Sequence, residues 1–337
     1  MKRSIPLRST LAQRGAALLM AMLTVALVAT FATAALWQQW RSVEVETAER
    51  ARVQSTWILT GALDWARLLL REDARPNGSK VDHLAEPWAV PLQEARLSSF
   101  LAADKNNTAD TGPEVMEAFL SGQIIDQQSL LNVNNLVVGG KVSVPDLESF
   151  VRLFELLGLQ RAELDKMAEN LRFATDAAEN NRTAIPQAPI KPQKIEQLAW
   201  LGLSPATISA IQPYVTLLPA HVPVNLNTAS AEVIYAVSPR LSMAEAQQLV
   251  SAREQAHFKN VSAASDLLGG SEKLPDSETV DVKTQFFEVR SRLRLENLVV
   301  EERAVLQRPP NTFEVSVVLR ERGITNPTAL SQLVPKR

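Results

Sequence analysis

The feature that most constrains this chain is its longest uncharged stretch, the 22 residues from Ala16 to Trp37. A helix of that length reaches about 33 Å, which is enough to cross the apolar core of a bilayer. Basic residues precede the stretch, and Trp37 and Trp40 follow where the far membrane interface would be. The positive-inside rule therefore predicts that residues 1–15 are cytoplasmic and that the chain after about residue 40 lies on the opposite side of the membrane.

The polar sequence after Trp40 keeps a helical period up to Pro76, the first helix breaker. Its apolar and small residues recur at spacings of three and four, namely Trp57, Gly61, Trp65, Leu68 and Leu69. We therefore predict one helix over residues 16–72, with a membrane part (16–37) and a soluble part (38–75) that packs on a folded domain. The alternative is a secretory signal peptide that is cleaved off. Such a peptide has a shorter apolar run, and the sequence changes character after its cleavage site, whereas the helical period continues here.

Composition excludes several classes of chemistry. The chain has no cysteine, which removes disulfides and thiolate sites and is typical of an exported protein stabilised by packing alone. Residues 1–15 carry four basic residues and no acid, so removing their +4 from the net charge of −2 leaves −6 on the remainder. An acidic chain is a poor nucleic-acid binder, because phosphate contacts supply most non-specific affinity.

The start of the apolar stretch carries a recognisable junction. Arg14-Gly15 followed by Ala16-Ala17-Leu18-Leu19 resembles the type IV prepilin junction. The resemblance implies that residues 1–15 are a leader peptide, that a prepilin peptidase cleaves between Gly15 and Ala16, and that Ala16 is then N-methylated. Because this cleavage precedes the apolar helix, the helix would remain in the mature protein.

Position five after that junction is Met20, where most pilins and pseudopilins carry a glutamate thought to pair with a neighbour's N-terminal amine. A carboxylate in hydrocarbon costs several kcal/mol unless it is paired. A subunit with nothing assembled above it has no amine to meet, so an apolar residue is acceptable there. In this respect the chain resembles the K-type minor pseudopilin of the type II secretion system.

The remaining sequence divides by pattern. Residues 76–140 are rich in turn formers and predict the first part of an αβ domain, with a strand at 122–126 that runs into an asparagine-rich turn. Residues 284–323 show the two-residue period of half-buried strands and predict a three-stranded antiparallel meander, with its last two strands at 298–307 and 313–320. Between them, helical spacing predicts helices at 145–158, 162–178, 193–202, 205–216, 229–237 and 243–256.

These patterns predict an α+β fold in which a long N-terminal helix packs on a small antiparallel sheet. The resemblance implies the same type IV pilin-like fold, with a large all-helical domain (141–283) inserted and a tail at 324–337. A proline-rich linker near 180–192 divides the insertion into two halves similar to helix-hairpin-helix or SAM-like domains. An asparagine motif precedes each half (Asn132-Val-Asn134-Asn135 and Asn225-Leu-Asn227-Thr228) and predicts turns, with Asn227 or Thr228 capping the helix at 229–237.

No enzyme constellation is present in the sequence, so we predict that the chain is not an enzyme. Its histidines (His83, His221 and His257) are far apart and form no metal-spaced pair. Three carboxylates within six residues form a candidate Ca²⁺ site, whose alternative is a solvated loop: Asp276, Glu278 and Asp281.

A DNA-binding function is the main alternative. Residues 223–230 resemble the helix-hairpin-helix module of competence DNA receptors, which contact phosphate through the amides of a glycine-containing hairpin. The corresponding stretch here, Ser238–Met243, contains no glycine, and acidic residues surround it. The sequence therefore favours a fold reused for protein contacts.

The resemblance to the K-type family implies a single-pass inner-membrane protein with a cytoplasmic N-terminus and a periplasmic soluble domain. It further implies a place at the tip of the pseudopilus, where the protein would initiate assembly with minor pseudopilins of types I and J. Prepilin peptidase, the inner-membrane assembly platform, secreted substrates and the secretin are the other partners it implies. A tip subunit of a related type IV pilus or filament system is a further alternative.

Overall fold

The computed structural model describes residues 14–75, 81–97, 118–179, 188–270, 272–295, 298–310 and 312–324. Residues 1–13 of the predicted leader, most of the predicted linker and the predicted tail from residue 325 lie outside these ranges. The chain divides after Trp57 into two compact units, residues 1–57 and 58–337.

The described residues form seven α-helices and eleven strands. The helices are α1 (Arg14–Asp73), α2 (Val144–Leu156), α3 (Arg161–Glu179), α4 (Pro205–Ile211), α5 (Ala231–Val237), α6 (Met243–Gln255) and α7 (Val261–Leu267). The strands are β1 (Leu92–Arg96), β2 (Ala118–Asp126), β3 (Leu131–Asn132), β4 (Val137–Val138), β5 (Lys141–Val142), β6 (Val215–Thr216), β7 (Val224–Asn225), β8 (Val280–Asp281), β9 (Phe286–Leu295), β10 (Leu298–Gln307) and β11 (Ser316–Ile324). Short 3₁₀ turns lie at 87–89, 127–129, 133–136 and 195–201.

Helix α1 is continuous for 60 residues, as its period predicts. One stretch of it is long and apolar enough to cross a membrane. Within that stretch the hydroxyls of Thr24, Thr30 and Thr33 each donate to a backbone carbonyl three or four residues earlier. Because these polar groups are satisfied inside the helix, they lower the cost of placing it in hydrocarbon.

The five-stranded sheet has the order β1-β2-β9-β10-β11, and every neighbouring pair is antiparallel. The predicted meander is therefore confirmed as β9, β10 and β11. Its last strand begins at Ser316 instead of Phe313, because the preceding segment bonds to α1: Arg67 Nε donates to the carbonyl of Val315, 3.0 Å away.

The core of the sheet lies against the last turns of α1. Leu63, Ala66 and Leu70 pack there on residues from the sheet and its flanking segments, namely Trp88, Phe287, Val289, Ala304, Leu306 and Val315. The rings of Trp88 and Phe287 meet edge to face at 5.2 Å, a favourable aromatic geometry. The alternation of apolar residues along β9 thus buries one face of the sheet.

The predicted insertion lies between β2 and β9, which are neighbours in the sheet. It is not entirely helical, contrary to our prediction, and its two parts meet at residues 217–223 and not at the linker predicted near 180–192. Its first module (residues 131–216) begins at β3 and ends at β6, and its second module (residues 224–281) begins at β7 and ends at β8. Each module is closed by a parallel pairing of these two-residue strands. The first pairing also ends the helix predicted at 205–216 early, at Ile211.

The asparagine motifs form the predicted turns. Asn132 Oδ1 accepts a hydrogen bond from the amide of Asn134 (3.2 Å), and Asn225 Oδ1 accepts one from Asn227 (2.9 Å), so both modules start with the same turn. The predicted N-cap was wrong: Ser230 caps α5, with its Oγ accepting from the amide of Val233, the third residue of the helix, at 3.4 Å. Asn227 and its neighbour are occupied by other partners, described below.

Candidate functional site

The predicted processing site lies at the start of α1. Gly15, Ala16 and Met20 occupy its first two turns and are exposed. Cleavage after Gly15 and methylation of Ala16 remain predictions. Met20 presents a thioether, which is a weak acceptor without the charge that would pair with an amine.

The soluble end of α1 has apolar residues on two opposite sides. Its buried side carries Leu59, Leu63, Ala66 and Leu70. Gly61, Trp65 and Leu68, which we call the outward stripe, lie on the other side by helical geometry, and Trp65 is 53% exposed. The periodicity was therefore right for a helix, but these residues do not form the face that packs on the sheet. A helix with two apolar sides is typical of a helix between two packing partners.

Gly61 adds a second observation about this stripe. Glycine inside a helix costs about 0.5–1 kcal/mol relative to alanine. Nothing in the described structure requires its small size, because a Cβ built there meets no atom within 4 Å. Its open space, one turn from Trp65, would let another backbone or a large side chain approach α1 closely.

A buried polar cluster joins the sheet to the second module. Asp126, at the end of β2, accepts hydrogen bonds from Thr228 Oγ1 (2.5 Å), Thr284 Oγ1 (2.7 Å), Asn225 Nδ2 (2.9 Å) and the amide of Gln128 (2.7 Å). Burial raises the pKa of Asp126 to about 6, and the bonds from the two threonines act in the opposite direction. We call this set the Asp126 cluster.

Beside it, Arg308 ties the end of α1 to the sheet. Its guanidinium donates to Asp73 Oδ2 at 2.7 Å and to Asp82, and it stacks over the ring of Phe287 at 4.8 Å. The carboxylates of Asp73, Asp82 and Glu86 lie within 4.8 Å of one another. Because Arg308 binds two of them, we interpret this group as a buried ion-pair network that holds the structure together.

The hairpin between α5 and α6 (residues 238–242) is the place where competence DNA receptors have glycine. In this chain an arginine side chain of the first module binds its backbone, a contact we call the clamp. Arg152 of α2 donates to three carbonyls, those of Tyr235 (3.0 Å), Pro239 (3.1 Å) and Leu241 (3.1 Å). Its guanidinium also lies 4.1 Å from the centroid of the Tyr235 ring. The first module therefore fixes the conformation of the hairpin in the second.

A carboxylate lies on the amides of that hairpin. Glu245 Oε2 accepts from the amide of Ser242 at 2.9 Å, and its other oxygen pairs with Lys273. These contacts, the bond from Lys273 first, lower the pKa of Glu245 to about 2, so it is anionic at neutral pH. An anion in this place repels phosphate, which argues against the DNA-binding alternative.

The calcium candidates do not converge in the described residues. Asp276 Oδ1 accepts from the amide of Glu278 (3.3 Å) and from Thr279 Oγ1 (3.2 Å), and Asp281 Oδ1 accepts from the amide of Val282 (2.7 Å). The three carboxylates form no group within 4.8 Å. Calcium binding here remains a prediction.

The structure brings together two histidines that their spacing in the sequence did not pair. The rings of His83 and His257 stack with centroids 3.8 Å apart and planes 8° from parallel. The third histidine, His221, lies elsewhere, with Nε2 3.4 Å from Asp146. No sequence signal joins His83 to His257, because only the fold brings the two loops together.

The described residues combine an apolar helix of membrane-spanning length with an antiparallel sheet and two helical modules, an arrangement compatible with a single-pass membrane anchor. Two family models, both described as type II secretion system protein K, match residues 129–220 and 224–283, which correspond closely to the two modules. Together with the relatives and the solved structure described next, these matches support a protein K-type minor pseudopilin of type II secretion.

Curated relatives cover most of the chain. It is 26% identical to the type II secretion system protein K of Pseudomonas aeruginosa, over 84% of this chain and 85% of the relative. It is also 26% identical to that of Klebsiella pneumoniae, over 93% and 97%. These relatives are named as secretion system proteins, which is consistent with a non-enzymatic role.

The fold is similar to that of a chain in the crystal structure of the GspK-GspI-GspJ complex from the type II secretion system of enterotoxigenic Escherichia coli. The TM-score is 0.60 at 14% identity, and the match covers 82% of this chain and 99% of that one. This likeness concerns the fold: a mixed helix and sheet protein with a long N-terminal helix.

Proposed function

We propose that this chain caps the tip of the periplasmic pseudopilus and initiates its assembly with minor pseudopilins of types I and J. The assembled fibre would serve the export of folded proteins across the outer membrane. The observation that carries the proposal is the outward stripe, an exposed apolar side of α1 with open space at Gly61. An exposed apolar surface of this kind marks a protein contact.

Two further observations support the tip position. Met20 cannot bind the amine of a subunit above it, so the chain suits the end of a fibre. The two helical modules add bulk to the sheet that a subunit stacked above would have to accommodate. The partners are suggested by the similar chain from Escherichia coli, which was solved in a complex with GspI and GspJ.

The location follows from the charges around the apolar helix. Basic residues before Ala16 favour a cytoplasmic N-terminus, which would leave the soluble residues in the periplasm of an inner-membrane protein. Prepilin peptidase would process the Gly15–Ala16 bond before assembly on the inner-membrane platform. Secreted substrates and the secretin are the partners that a tip subunit would meet last.

The assembly proposal is tested by co-purification. Full-length chain with an affinity tag would be expressed with the type I and J minor pseudopilins of the same gene cluster and extracted in mild detergent. Trp65→Ala and Gly61→Leu should each reduce recovery of the partners about tenfold, which corresponds to a loss of about 1.4 kcal/mol. The matched control is Trp200→Ala, which removes a tryptophan of the first module that is 49% exposed.

Equal recovery from the wild type and both stripe variants would overturn the proposed interface. The position at the tip is checked separately, by gold labelling of the tag on isolated fibres. Label along the whole fibre would contradict capping. Mass spectrometry of the mature N-terminus should find methylated Ala16, and any other start would contradict processing at Gly15.

A further inference from the structure

The stacked histidines lie where the second module meets the segment between α1 and β1. In that segment Val81 belongs to the core of the modules and Trp88 to the core of the sheet, and His83 lies between them. His257 lies in the loop between α6 and α7. The ring contact therefore joins two parts of the protein that are distant in sequence.

Hydrogen bonds hold the ring of His83 and the backbone next to His257. The amide of Ala85 donates to His83 Nδ1 at 3.3 Å, which holds the first ring on its own loop while that nitrogen carries no proton. Next to His257, the amide of Phe258 donates to Asn227 Oδ1 (2.8 Å), and Asn227 Nδ2 donates back to the carbonyl of Phe258 (3.0 Å). Each loop is therefore held within its own part of the protein, and the ring contact joins the two.

Charged groups face the pair from three elements. Glu86, on the segment of His83, has Oε1 3.9 Å from His83 Nε2. Asp73 faces it from α1, and Lys259 lies on the loop of His257. Burial lowers the pKa of His83, and Asp73 acts against that shift. Burial and then His83 lower the pKa of His257, with Glu86 acting against the shift and Lys259 adding to it.

The two rings therefore do not take up protons independently. One imidazolium can stack on a neutral ring, and the carboxylates of Glu86 and Asp73 favour it. A second proton would place two like charges face to face across 3.8 Å. Because the loops on both sides are bonded in place, that repulsion acts on their hydrogen bonds.

We propose that His83 and His257 form a proton-sensitive latch, which stays closed with one proton and releases the loop 256–260 from the segment 83–86 when both rings are protonated. The latch would let acid loosen one edge of the second module while the Asp126 cluster still holds it to the sheet. This inference does not depend on the assembly function.

Histidine-selective NMR on the full-length chain in detergent micelles tests the latch. The sequence contains three histidines, so the labelled spectrum has three sets of signals, assigned with single His→Asn variants. We expect His83 and His257 to titrate in two steps at least one pH unit apart. In His257→Phe, which keeps a stacked ring but removes the charge, His83 should titrate in one step, at least one unit above the second step of the pair.

Hydrogen exchange measures the release itself. After correction for intrinsic exchange, the amide of Phe258 should exchange at least tenfold faster in the wild type at the pH of the second step. It should stay protected in His257→Phe and in the reciprocal variant His83→Phe. Independent titration of the two rings would overturn the latch, and so would amide protection that the second protonation leaves unchanged.

Discussion

Thr228 donates a hydrogen bond from its hydroxyl to Oδ2 of Asp126, 2.5 Å away, although 102 positions separate the two residues. The bond connects the last residue of β2 to the first turn of the second module. Thr284, which precedes β9, donates to the same oxygen. One buried carboxylate thus fixes both the point where the chain leaves the sheet for the insertion and the point where it returns.

Removing that carboxylate should destabilise the protein strongly. Asp126→Ala leaves buried donors on Thr228, Thr284, Asn225 and Gln128 without their acceptor, and each unsatisfied group costs about 1–3 kcal/mol. We expect the free energy of unfolding to fall by about 3–5 kcal/mol in urea denaturation. Glu155→Ala, an exposed site on α2, is the control and should change it by less than about 0.5 kcal/mol. A similar small change for Asp126→Ala would contradict the role of the cluster.

Asp126 should also make the free energy of unfolding depend on pH. Its pKa is raised from 3.8 to about 6 in the folded chain. Between those values the folded state keeps a proton that the unfolded state has released, so stability falls as pH rises, by up to about 3 kcal/mol in total. The histidines act oppositely, because their lowered pKa values reduce stability as pH falls below about 6.5. The difference in unfolding free energy between wild type and Asp126→Asn, measured from pH 4 to 7, isolates the carboxylate, and a flat difference would refute the raised pKa.

The clamp on the hairpin gives a third prediction. Arg152→Lys keeps the charge but cannot reach three carbonyls at once, because an ammonium lacks the guanidinium's planar fork. We expect a loss of about 1–3 kcal/mol in unfolding free energy and faster hydrogen exchange in residues 238–242. Arg161→Lys is the matched control, since the exposed guanidinium of Arg161 pairs with Asp165 on the same helix. Unchanged exchange in the hairpin would show that the clamp does not restrain it.

The sequence was sufficient to predict the elements with a long, regular period. The apolar run and its helical continuation predicted α1 to within two residues at each end, and the alternation in 286–307 predicted the meander and hence where the insertion ends. The two asparagine motifs predicted the turns that start both modules, because an asparagine side chain forms such turns with its own backbone neighbours. All these signals are local.

What could not be predicted depends on partners far away in the chain. Trp65 and Leu63 belong to two apolar sides of one helix, and a period does not say which side meets the sheet. Strands of two residues, such as β3 and β6, are too short to show an alternation. Thr228 does not cap α5 because a distant carboxylate binds its hydroxyl, and Ser230 takes the cap.

The structure shows what calcium binding at the predicted site would require. Asp276, Glu278 and Asp281 do not converge, so Ca²⁺ would have to reorganise their loop, and we expect weak, millimolar binding. Isothermal titration of the full-length chain should then show heat with millimolar calcium that Asp276→Asn abolishes. Asp266→Asn, at an exposed carboxylate of α7, should leave the heat unchanged. Absence of heat in the wild type would end the calcium hypothesis.

The hairpin of the second module distinguishes between two possible functions of that module, protein contact and DNA binding. Phosphate binding by this fold needs free backbone amides in the hairpin, and Glu245 already occupies the amide of Ser242 with a carboxylate that Lys273 holds. We therefore expect no complex with duplex DNA in a gel shift, even at low salt where phosphate contacts are strongest. Glu245→Gln removes the charge from the same place, so any gain in binding by that variant would identify the carboxylate as the obstacle. A submicromolar, salt-sensitive complex of the wild type would show instead that the module binds DNA by another surface, and the assembly function would then have to be shared with nucleic-acid binding.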